Sequence, residues 1–504
     1  MLDWIDAHIL TLLIALPLGG ALVLLAFPRE KVGLIRGWAL LVSLAGFVLS
    51  LHLAYHFKDG EGIAYQFVEN YSWIPSLGIQ YHLGIDGFSL WLIILTTLLL
   101  PLVVLYSMGS VHDRERKYYF FLLALQAGML GAFSALDVFL FYLFWEAMLI
   151  PMYFLIGIYG GQRRIYAALK FFLFTMVGSV LMLLAMIYLY YQAGKSFSLE
   201  RWLELGLDPH AQLILFSAFA LSFAIKVPMF PVHTWLPDAH VEAPTSGSVI
   251  LAGVLLKMGT YGFVRFAMPL FPHGLEMARP LLITLAVIGI IYGALVAMVQ
   301  KDIKKLVAYS SVSHLGFVML GLMALTPQSV TGAVYQMLNH GISTGALFLL
   351  VGMIYDRTHT RKIEDYGGLA KFLPIYSVIF LIVTFSSIAL PGTNGFVGEF
   401  LILSGSFSEL PRATVISTLC VIFAAIYMLW MVERVFFGPA TNPKLKDLKD
   451  LGGREVLCMV PLLILIVWMG VKPNYFLKKI EPATRALIER VEGAKVQVGR
   501  RATP

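Results

Sequence analysis

The sequence consists largely of apolar runs long enough for a helix to cross a lipid bilayer, separated by short polar connections. A membrane-spanning helix needs about 20 predominantly apolar residues, and its backbone polar groups are all satisfied within the helix itself. Hydrophobic residues make up 59% of the 504 residues and charged residues only 13%, which is too little polar surface for a soluble protein of this length. The sequence therefore predicts an all-α polytopic membrane protein.

The apolar runs predict about fourteen transmembrane helices. The predicted spans are 9–27, 37–56, 88–106, 118–134, 138–158, 166–191, 211–230, 246–266, 281–299, 306–325, 330–355, 373–407, 414–436 and 455–471. The span at 373–407 is interrupted, and the run at 231–245 is predicted to be a re-entrant connection. The first run is not expected to be a cleavable signal peptide, because Asp3 and Asp6 stand where a basic leader would be.

Basic residues gather in alternate connections, and this distribution predicts the orientation of the chain. Of the 37 Lys and Arg, 20 lie in one set of connections and six in the opposite set. The positive-inside rule places the richer set in the cytoplasm and both termini on the outer face. The tail from Lys472 onward carries eight more, and we expect residues 475–491 to form a short helix on the outer surface. The net charge of +7 thus reflects topology and does not indicate nucleic-acid binding.

The chain lacks the sequence patterns of a redox or nucleotide site. Its two cysteines, Cys420 and Cys458, are 38 residues apart, which fits no iron–sulfur or haem-attachment motif. The glycine-rich nucleotide motifs and the His-Glu-x-x-His zinc motif are also absent. We therefore expect no cofactor and no catalytic metal to be bound by this chain.

Four charged residues lie deep inside predicted spans: Glu146, Lys226, Lys257 and Glu399. A charge near the bilayer centre costs about 2.5–3.5 kcal/mol, so such residues usually face a wet interior path and carry ions or protons. A purely structural buried salt bridge is the alternative for Glu146 and the two lysines. Lys170, which lies near a helix end, is expected to be a snorkelling anchor.

Two histidines, His314 and His340, lie in the middle of successive predicted spans. A single histidine on an apolar face is usually a hydrogen-bonded core residue, whereas two on neighbouring helices suit a proton relay. Both interpretations stay open from the residues alone. Asp238 follows a proline in the 231–245 connection and is expected to cap or pin it.

Two predicted helices are broken by proline or glycine. In the stretch 224–231, Pro228 and Pro231 cannot donate to the preceding turn, so free carbonyls are expected beside Lys226. In the stretch 389–395, a Pro-Gly pair precedes Glu399. Paired broken helices in two halves of a membrane protein indicate a transport path and an internal repeat.

These breaks suggest two inverted five-helix repeats. The predicted domains are an N-terminal unit (1–117, helices 1–3), a first repeat (118–267, helices 4–8), a second repeat (268–440, helices 9–13), and a final helix with an outer-face tail (441–504). The repeats would be inverted because five, the number of helices in each, is odd.

Several motifs closely resemble the antiporter-like subunits of respiratory complex I, from helix 3 through helix 13. They are FWEAMLIPMY (144–153), KVP (226–228), HTWLPDAH (233–240), APTSGSV (243–249), LLK (255–257) and YSSVSHLG (309–316). Within this family the chain is most similar to the M subunits, the counterparts of mitochondrial subunit 4. The stretch PGTNGFVGEF (391–400) carries this distinction, because the L and N subunits and related cation antiporter subunits generally have lysine where Glu399 stands.

The resemblance implies proton translocation driven by partner subunits that oxidise NADH and reduce quinone. It implies a pair of Glu146 with Lys226, a central relay at Lys257, a bridge of His314 and His340 to the second repeat, and an exit-side carrier at Glu399. The implied partners are the L and N subunits on either side in the membrane arm, with flavin, iron–sulfur clusters and quinone held in or at other subunits.

The implied location is the bacterial cytoplasmic membrane. Two alternatives remain: a subunit of a multi-subunit sodium/proton antiporter or membrane-bound hydrogenase, and a passive subunit that only spaces the active ones. Glu399 argues against the antiporter.

Overall fold

The computed structural model describes residues 2–60, 65–440 and 442–501. Residue 441, where the predicted last domain begins, residues 502–504 at its end and the side chain of Asp3 lie outside the described residues. The division into four domains stays a prediction.

The first half of the chain forms a helical bundle with one β-hairpin. Its helices are α1 (Leu2–Ala26), α2 (Val32–His56), α3 (Gly87–Ser107), α4 (Glu115–Ser134), α5 (Val138–Ala147), α6 (Leu149–Tyr159), α7 (Arg164–Gln192), α8 (Leu199–Leu203), α9 (Pro209–Lys226), α10 (Trp235–Glu242), α11 (Thr245–Ile250), α12 (Leu256–Gly262) and α13 (Met268–Leu270). Two π-helical turns, Leu251–Leu255 and Phe263–Ala267, join α11, α12 and α13 into one segment, Thr245–Leu270.

The second half is entirely helical in its described residues. Its helices are α14 (Pro272–Met298), α15 (Ile303–Ala324), α16 (Pro327–Thr358), α17 (Pro374–Ser387), α18 (Asn394–Phe407), α19 (Pro411–Val432), α20 (Gly453–Val471) and α21 (Asn474–Arg501). A π-helical turn, Glu433–Phe437, extends α19.

Twelve helical segments in the described part of the chain are long and apolar enough to cross a membrane. They coincide with twelve of the predicted spans. The other two predicted spans are α4, which is mostly buried but less apolar, and the shorter pair α17 and α18. The predicted fold class is confirmed, while the number fourteen and the two inverted repeats stay predictions.

A β-hairpin interrupts the otherwise helical chain and was not predicted. Strands β1 (Gln66–Ile74) and β2 (Ile79–Ile85) pair antiparallel across a turn at Pro75–Leu77. Gly78 closes this turn with φ +62°, and a Cβ there would overlap the carbonyl oxygen of Lys195. Aromatic and β-branched residues on either side of a turn that begins at Pro75 and ends at Gly78 are a strand signal. The prediction of helices from apolar runs does not detect this signal.

The hairpin is anchored to the bundle by two buried carboxylates. Glu69 accepts hydrogen bonds from the N–H groups of Leu10 (2.8 Å) and Thr11 (3.1 Å) in α1. Asp137 accepts from Gln80 N–H of β2 (3.0 Å) and from Leu140 N–H (3.0 Å), so that it caps α5 as well. The hairpin therefore joins the N-terminal ends of α1 and α5.

The predicted surface helix at 475–491 is present within α21. Its apolar side chains are buried against the bundle at Phe476, Leu477, Ile480, Leu487, Ile488 and Val491. Lys479 donates to Phe57 O (3.0 Å) just beyond α2 and to Asp59 (2.8 Å), which places α21 at the same end of the bundle as the hairpin. The charged face of α21 accounts for the late basic residues that depart from the positive-inside rule.

The two halves of the chain meet tightly between α16 and the Thr245–Leu270 segment, which is fully buried. Gly253 and Gly341 face each other there, and a Cβ added at Gly341 would lie 2.8 Å from the carbonyl oxygen of Gly253. This close approach positions the polar side chains of the two helices within hydrogen-bonding distance. Gly341 is thus required by the packing of the backbones, whereas a Cβ at Gly253 would overlap the side chain of Leu99.

Candidate functional site

Lys257 lies at the centre of the bundle and contacts a histidine from the other half of the chain. Its side chain is completely buried on α12, and Nζ lies 2.6 Å from His340 Nδ1 of α16. Nζ also donates to the carbonyl oxygen of Ala252. Because an ammonium group only donates, His340 Nδ1 accepts in this contact and its ring proton lies on Nε2. A proton can pass directly across this contact.

Glu399 and His314 form a second buried contact in the second half. His314 Nδ1 of α15 lies 3.0 Å from Glu399 Oε1 of α18, and both side chains are buried. Gln336 Nε2 donates to the same oxygen (3.2 Å), and Asn339 Nδ2 donates to Gln336 Oε1 (3.0 Å). The carboxylate accepts, so His314 carries its ring proton on Nδ1.

The two contacts are neighbours. The ring centroids of His314 and His340 are 5.8 Å apart. Both rings line a cavity of about 10 Å³ together with Asn339, Ser343 and Gly395, which is room for about one water molecule. The Nε2 atoms of both histidines find no hydrogen-bond partner among the described residues. A buried polar row therefore runs from Lys257 through the two histidines to Glu399.

The break between α17 and α18 borders this row. Ala389 and Gly392 adopt positive φ (+58° and +94°), which turns the chain between the two half-helices. Asn394 at the start of α18 accepts a hydrogen bond from Ser386 Oγ (2.5 Å), and Ser386 also contacts Ser343 Oγ of α16 (2.5 Å). These small polar residues hold the broken helix against α16 and thereby fix Glu399 beside His314.

Lys226 and Glu146 lie apart from this row and from each other. Lys226 is fully buried at the end of α9, with Nζ 5.2 Å from the ring centroid of Trp145 and 5.5 Å from that of Phe171. No ion pair joins it to the half-buried Glu146 in the described part of the chain, although the carboxylate acts on it electrostatically. The implied pair is therefore not formed in this structure. The aromatic rings beside the ammonium supply a cation–π environment instead.

The carbonyls before Lys226 are not free, contrary to the prediction. The carbonyl oxygen of Ala224 accepts from Met229 N–H (2.8 Å), and that of Ile225 accepts from Trp235 Nε1 (2.8 Å). The chain turns sharply after Lys226, and this brings new donors to replace those lost at the prolines. Nζ of Lys226 has no hydrogen-bond partner among the described residues.

Lys170 and Asp238 form an ion pair, with 2.7 Å between Nζ and Oδ2. Asp238 thus pins the connection, which is one of the two predicted alternatives, and it does so through Lys170. The prediction for Lys170 is corrected, because this lysine pairs with Asp238 rather than only reaching toward the interface. The pair ties α7 to α10. The two residues are 68 positions apart in the sequence, so no local pattern relates them.

His240 on α10 is a buried polar residue that the sequence reasoning missed. It is completely buried and stacked on Phe348 of α16, with 4.5 Å between ring centroids, and neither ring nitrogen has a partner in the described residues. It lies in the connection 231–245, which was considered for its backbone alone. The available signal was its position in the HTWLPDAH stretch (233–240), which carries part of the family resemblance.

Two polar cavities lie at opposite ends of the bundle. One of about 370 Å³ opens among the basic-rich connections and is lined by Glu242, Lys304, Asp356 and Arg361. The other, of about 510 Å³, lies beside the hairpin and α21 and is lined by residues that include Asp86 and Arg265. Neither cavity is lined by a member of the buried polar row, so both lie between the row and the surface of the chain.

Two known families match the chain. The family described as NADH:quinone oxidoreductase/Mrp antiporter matches residues 135–426, which include all six predicted site residues. The amino-terminal region of NADH-ubiquinone oxidoreductase chain 4 matches residues 63–131, which include the hairpin and most of α4.

Individual relatives match over nearly their whole length. NADH-quinone oxidoreductase subunit M of Rhodobacter capsulatus is 46% identical, with 96% of both chains covered. NADH-ubiquinone oxidoreductase chain 4 of Marchantia polymorpha is 44% identical, with 95% of this chain and 96% of the relative covered. A chain in the structure of respiratory complex I from Thermus thermophilus with bound NADH is 35% identical, with a TM-score of 0.87 and coverage of 96% of this chain and 99% of that chain. The chain therefore belongs to the NADH:quinone oxidoreductase/Mrp antiporter family of integral membrane subunits, in the group that contains subunit M and chain 4.

Proposed function

We propose that the chain is a proton-translocating subunit in the membrane arm of NADH:quinone oxidoreductase. The observation that carries this proposal is the buried row of Lys257, His340, His314 and Glu399, which joins the two halves of the chain. Each member of this row can gain and lose a proton. Buried ionisable groups in such a row, at membrane depth, suit proton transfer better than the coordination of a larger cation, which needs several oxygen ligands.

The two histidines have complementary proton positions for transfer along the row. Lys257 gives a proton to His340 Nδ1, and His340 releases the proton on its Nε2. His314 accepts a proton at Nε2 and gives the one on Nδ1 to Glu399 Oε1. Lys257 then ends neutral and Glu399 ends protonated, while each histidine keeps one proton on the opposite nitrogen. The row is reset when both rings regain their first tautomers and Lys257 is reprotonated.

Lys226 and Glu146 would supply the input to Lys257. Lys226 is fully buried, and its Nζ has no hydrogen-bond partner among the described residues, so burial of its charge is costly. Movement of Glu146 toward or away from Lys226 would change this cost. In the resulting scheme protons enter from the cavity at the cytoplasmic end and leave at the outer end.

The energy for this transfer would come from partner subunits. Those partners would hold the flavin, the iron–sulfur clusters and the quinone, and the L and N subunits would flank this chain in the membrane. The chain itself would act as a translocase and not as a redox centre. The location we propose is the bacterial cytoplasmic membrane, with both termini on the outer face.

Purification of the tagged chain in mild detergent, followed by mass spectrometry, tests this assignment. We expect subunits that carry flavin and iron–sulfur clusters to co-purify, together with two further antiporter-like subunits and NADH-dependent quinone reduction. Recovery of cation-antiporter subunits without any redox subunit would contradict the proposal and favour the sodium/proton antiporter.

Replacement of Glu146 by Gln tests whether the charge of Glu146 controls proton release from Lys226 or whether the residue only supports the structure. Glutamine keeps the size of the side chain and can still accept from Ser179, and Glu146 forms no ion pair among the described residues. Glu146→Gln should therefore leave the thermal stability of the complex unchanged. The loss of charge next to Lys226 should lower NADH-driven proton pumping by about tenfold or more. Glu146→Asp should lose only part of the pumping.

The matched control is Glu409→Gln, at an exposed carboxylate in the connection after α18. It should pump normally. Normal pumping in Glu146→Gln, or a loss of stability that accounts for the loss of pumping, would show that Glu146 is not the switch.

A further inference from the structure

A cluster of metal-ligating side chains joins α1 to α2 at the end of the bundle that carries the hairpin. It comprises Asp6 of α1 and His52 and His56 of α2, and one ligand atom from each lies within 4.8 Å of the other two. The two histidines are four residues apart on one helix and therefore share a face. None of the three belongs to the proton row.

The hydrogen bonds of the cluster leave nitrogen lone pairs available. His56 Nδ1 donates to the carbonyl oxygen of His52 (3.1 Å), which leaves Nε2 of His56 as the nitrogen with a free lone pair. Metal-binding histidines usually donate their second ring N–H to such a carbonyl or carboxylate. The rings of His52 and His56 are only 3.9 Å apart between centroids, so both face the same point beside Asp6.

We propose that Asp6, His52 and His56 bind a divalent transition-metal ion of the Zn²⁺ class, with water as the fourth ligand. Two imidazoles and a carboxylate suit Zn²⁺, whereas Mg²⁺ and Ca²⁺ prefer oxygen ligands alone. The side chain of Asp6 is 41% exposed and that of His52 is 17% exposed, so the cluster is open at the surface of the chain.

The ligand positions need only small side-chain movements. Tetrahedral Zn²⁺ with bonds of about 2.0–2.2 Å separates its ligand atoms by about 3.3 Å. His52 Nε2 donates to Asp6 Oδ1 at 2.5 Å, so the ion would displace this proton, which moves to Nδ1 of His52 or to solvent. The pair then opens by less than about 1 Å while His56 closes in. The bound ion would clamp the ends of α1 and α2 together.

The competing explanation is a simple ion pair between Asp6 and His52. That pair does not need His56, which is exposed and bonds to the backbone of its own helix. His56 is therefore the residue that distinguishes a metal site from an ion pair. Both cysteines are buried, so Zn²⁺ added to the protein would not bind to their thiols.

Site-resolved labelling of histidines with diethylpyrocarbonate tests the proposal in the full-length chain purified in detergent. Peptide mass spectrometry should show that micromolar Zn²⁺ protects His52 and His56, whereas Mg²⁺ at the same concentration does not. His8 is the internal control, because it lies on α1 beside the cluster but contacts Tyr71 instead (3.2 Å). Its labelling should not change with Zn²⁺.

Two variants complete the test. His56→Gln and Asp6→Asn should each raise the Zn²⁺ concentration needed to protect His52 by about tenfold or more. His8→Gln should leave it unchanged. Equal labelling of His52 and His56 with and without Zn²⁺ would overturn the proposal, as would full protection of His52 in His56→Gln.

Discussion

Lys257→Met should reduce NADH-driven proton pumping by at least about tenfold while the complex still assembles. Methionine keeps the length and volume of the lysine side chain, so packing at this fully buried position is preserved. It removes the group that gives a proton to His340 Nδ1, 2.6 Å away. Pumping is measured as acidification or alkalinisation of sealed vesicles, with the amount of assembled complex determined on native gels.

The control for this prediction is Lys362→Ala, whose side chain is 66% exposed at the basic-rich end of the bundle. It should pump at the wild-type rate.

Lys226→Met should behave like Lys257→Met in pumping but should not destabilise the complex, because Lys226 Nζ has no hydrogen bond to lose among the described residues. Normal pumping by Lys257→Met at normal complex levels would contradict the proposed relay and favour a passive spacer.

Glu399→Gln and Glu399→Ala should both pump at least about tenfold more slowly, whereas Glu399→Lys should keep part of the activity. Glutamine preserves the size of the side chain and still accepts from Gln336, yet it cannot take the proton from His314 Nδ1. Lysine restores a group that can gain and lose a proton at this position. The measurement is the initial rate of NADH-driven pumping per assembled complex.

This series separates proton carriage from structure. If Glu399 only supported the break between α17 and α18 through its hydrogen bonds, the isosteric Gln variant would be the mildest of the three and Lys the most damaging. That order, or equal rates in Glu399→Lys and Glu399→Ala, would contradict a role in carrying protons.

The apolar periodicity of the chain was sufficient to predict most of the fold. Spans such as 88–106 and 306–325 match α3 and α15 within a few residues, because in a bilayer the length of an apolar run directly sets the length of a helix. The hairpin at 66–85 was not predicted because it lies outside the apolar runs. Strand signals in such a short polar connection are weak compared with those of a membrane-spanning helix.

The residues of the site were predictable, but their contacts were not. Lys257, His314, His340 and Glu399 stood out because polar groups in apolar runs are rare. The pairing of Lys257 with His340 depends on the close approach of Gly253 and Gly341, 88 positions apart, and no local pattern reports such a contact. The same reason explains why Glu146 was assigned to Lys226 when aromatic rings occupy the space beside that lysine.

A double-mutant comparison of pumping rates tests most directly whether Lys257 and Glu399 belong to one row. Rates of NADH-driven pumping per assembled complex are measured for Lys257→Met, Glu399→Gln and the double variant in the same vesicles. If the two residues act in series, the double variant should pump within about twofold of the slower single variant, because a path already interrupted loses little more. A rate in the double variant close to the product of the two single effects would show that the residues act independently and would contradict a shared path.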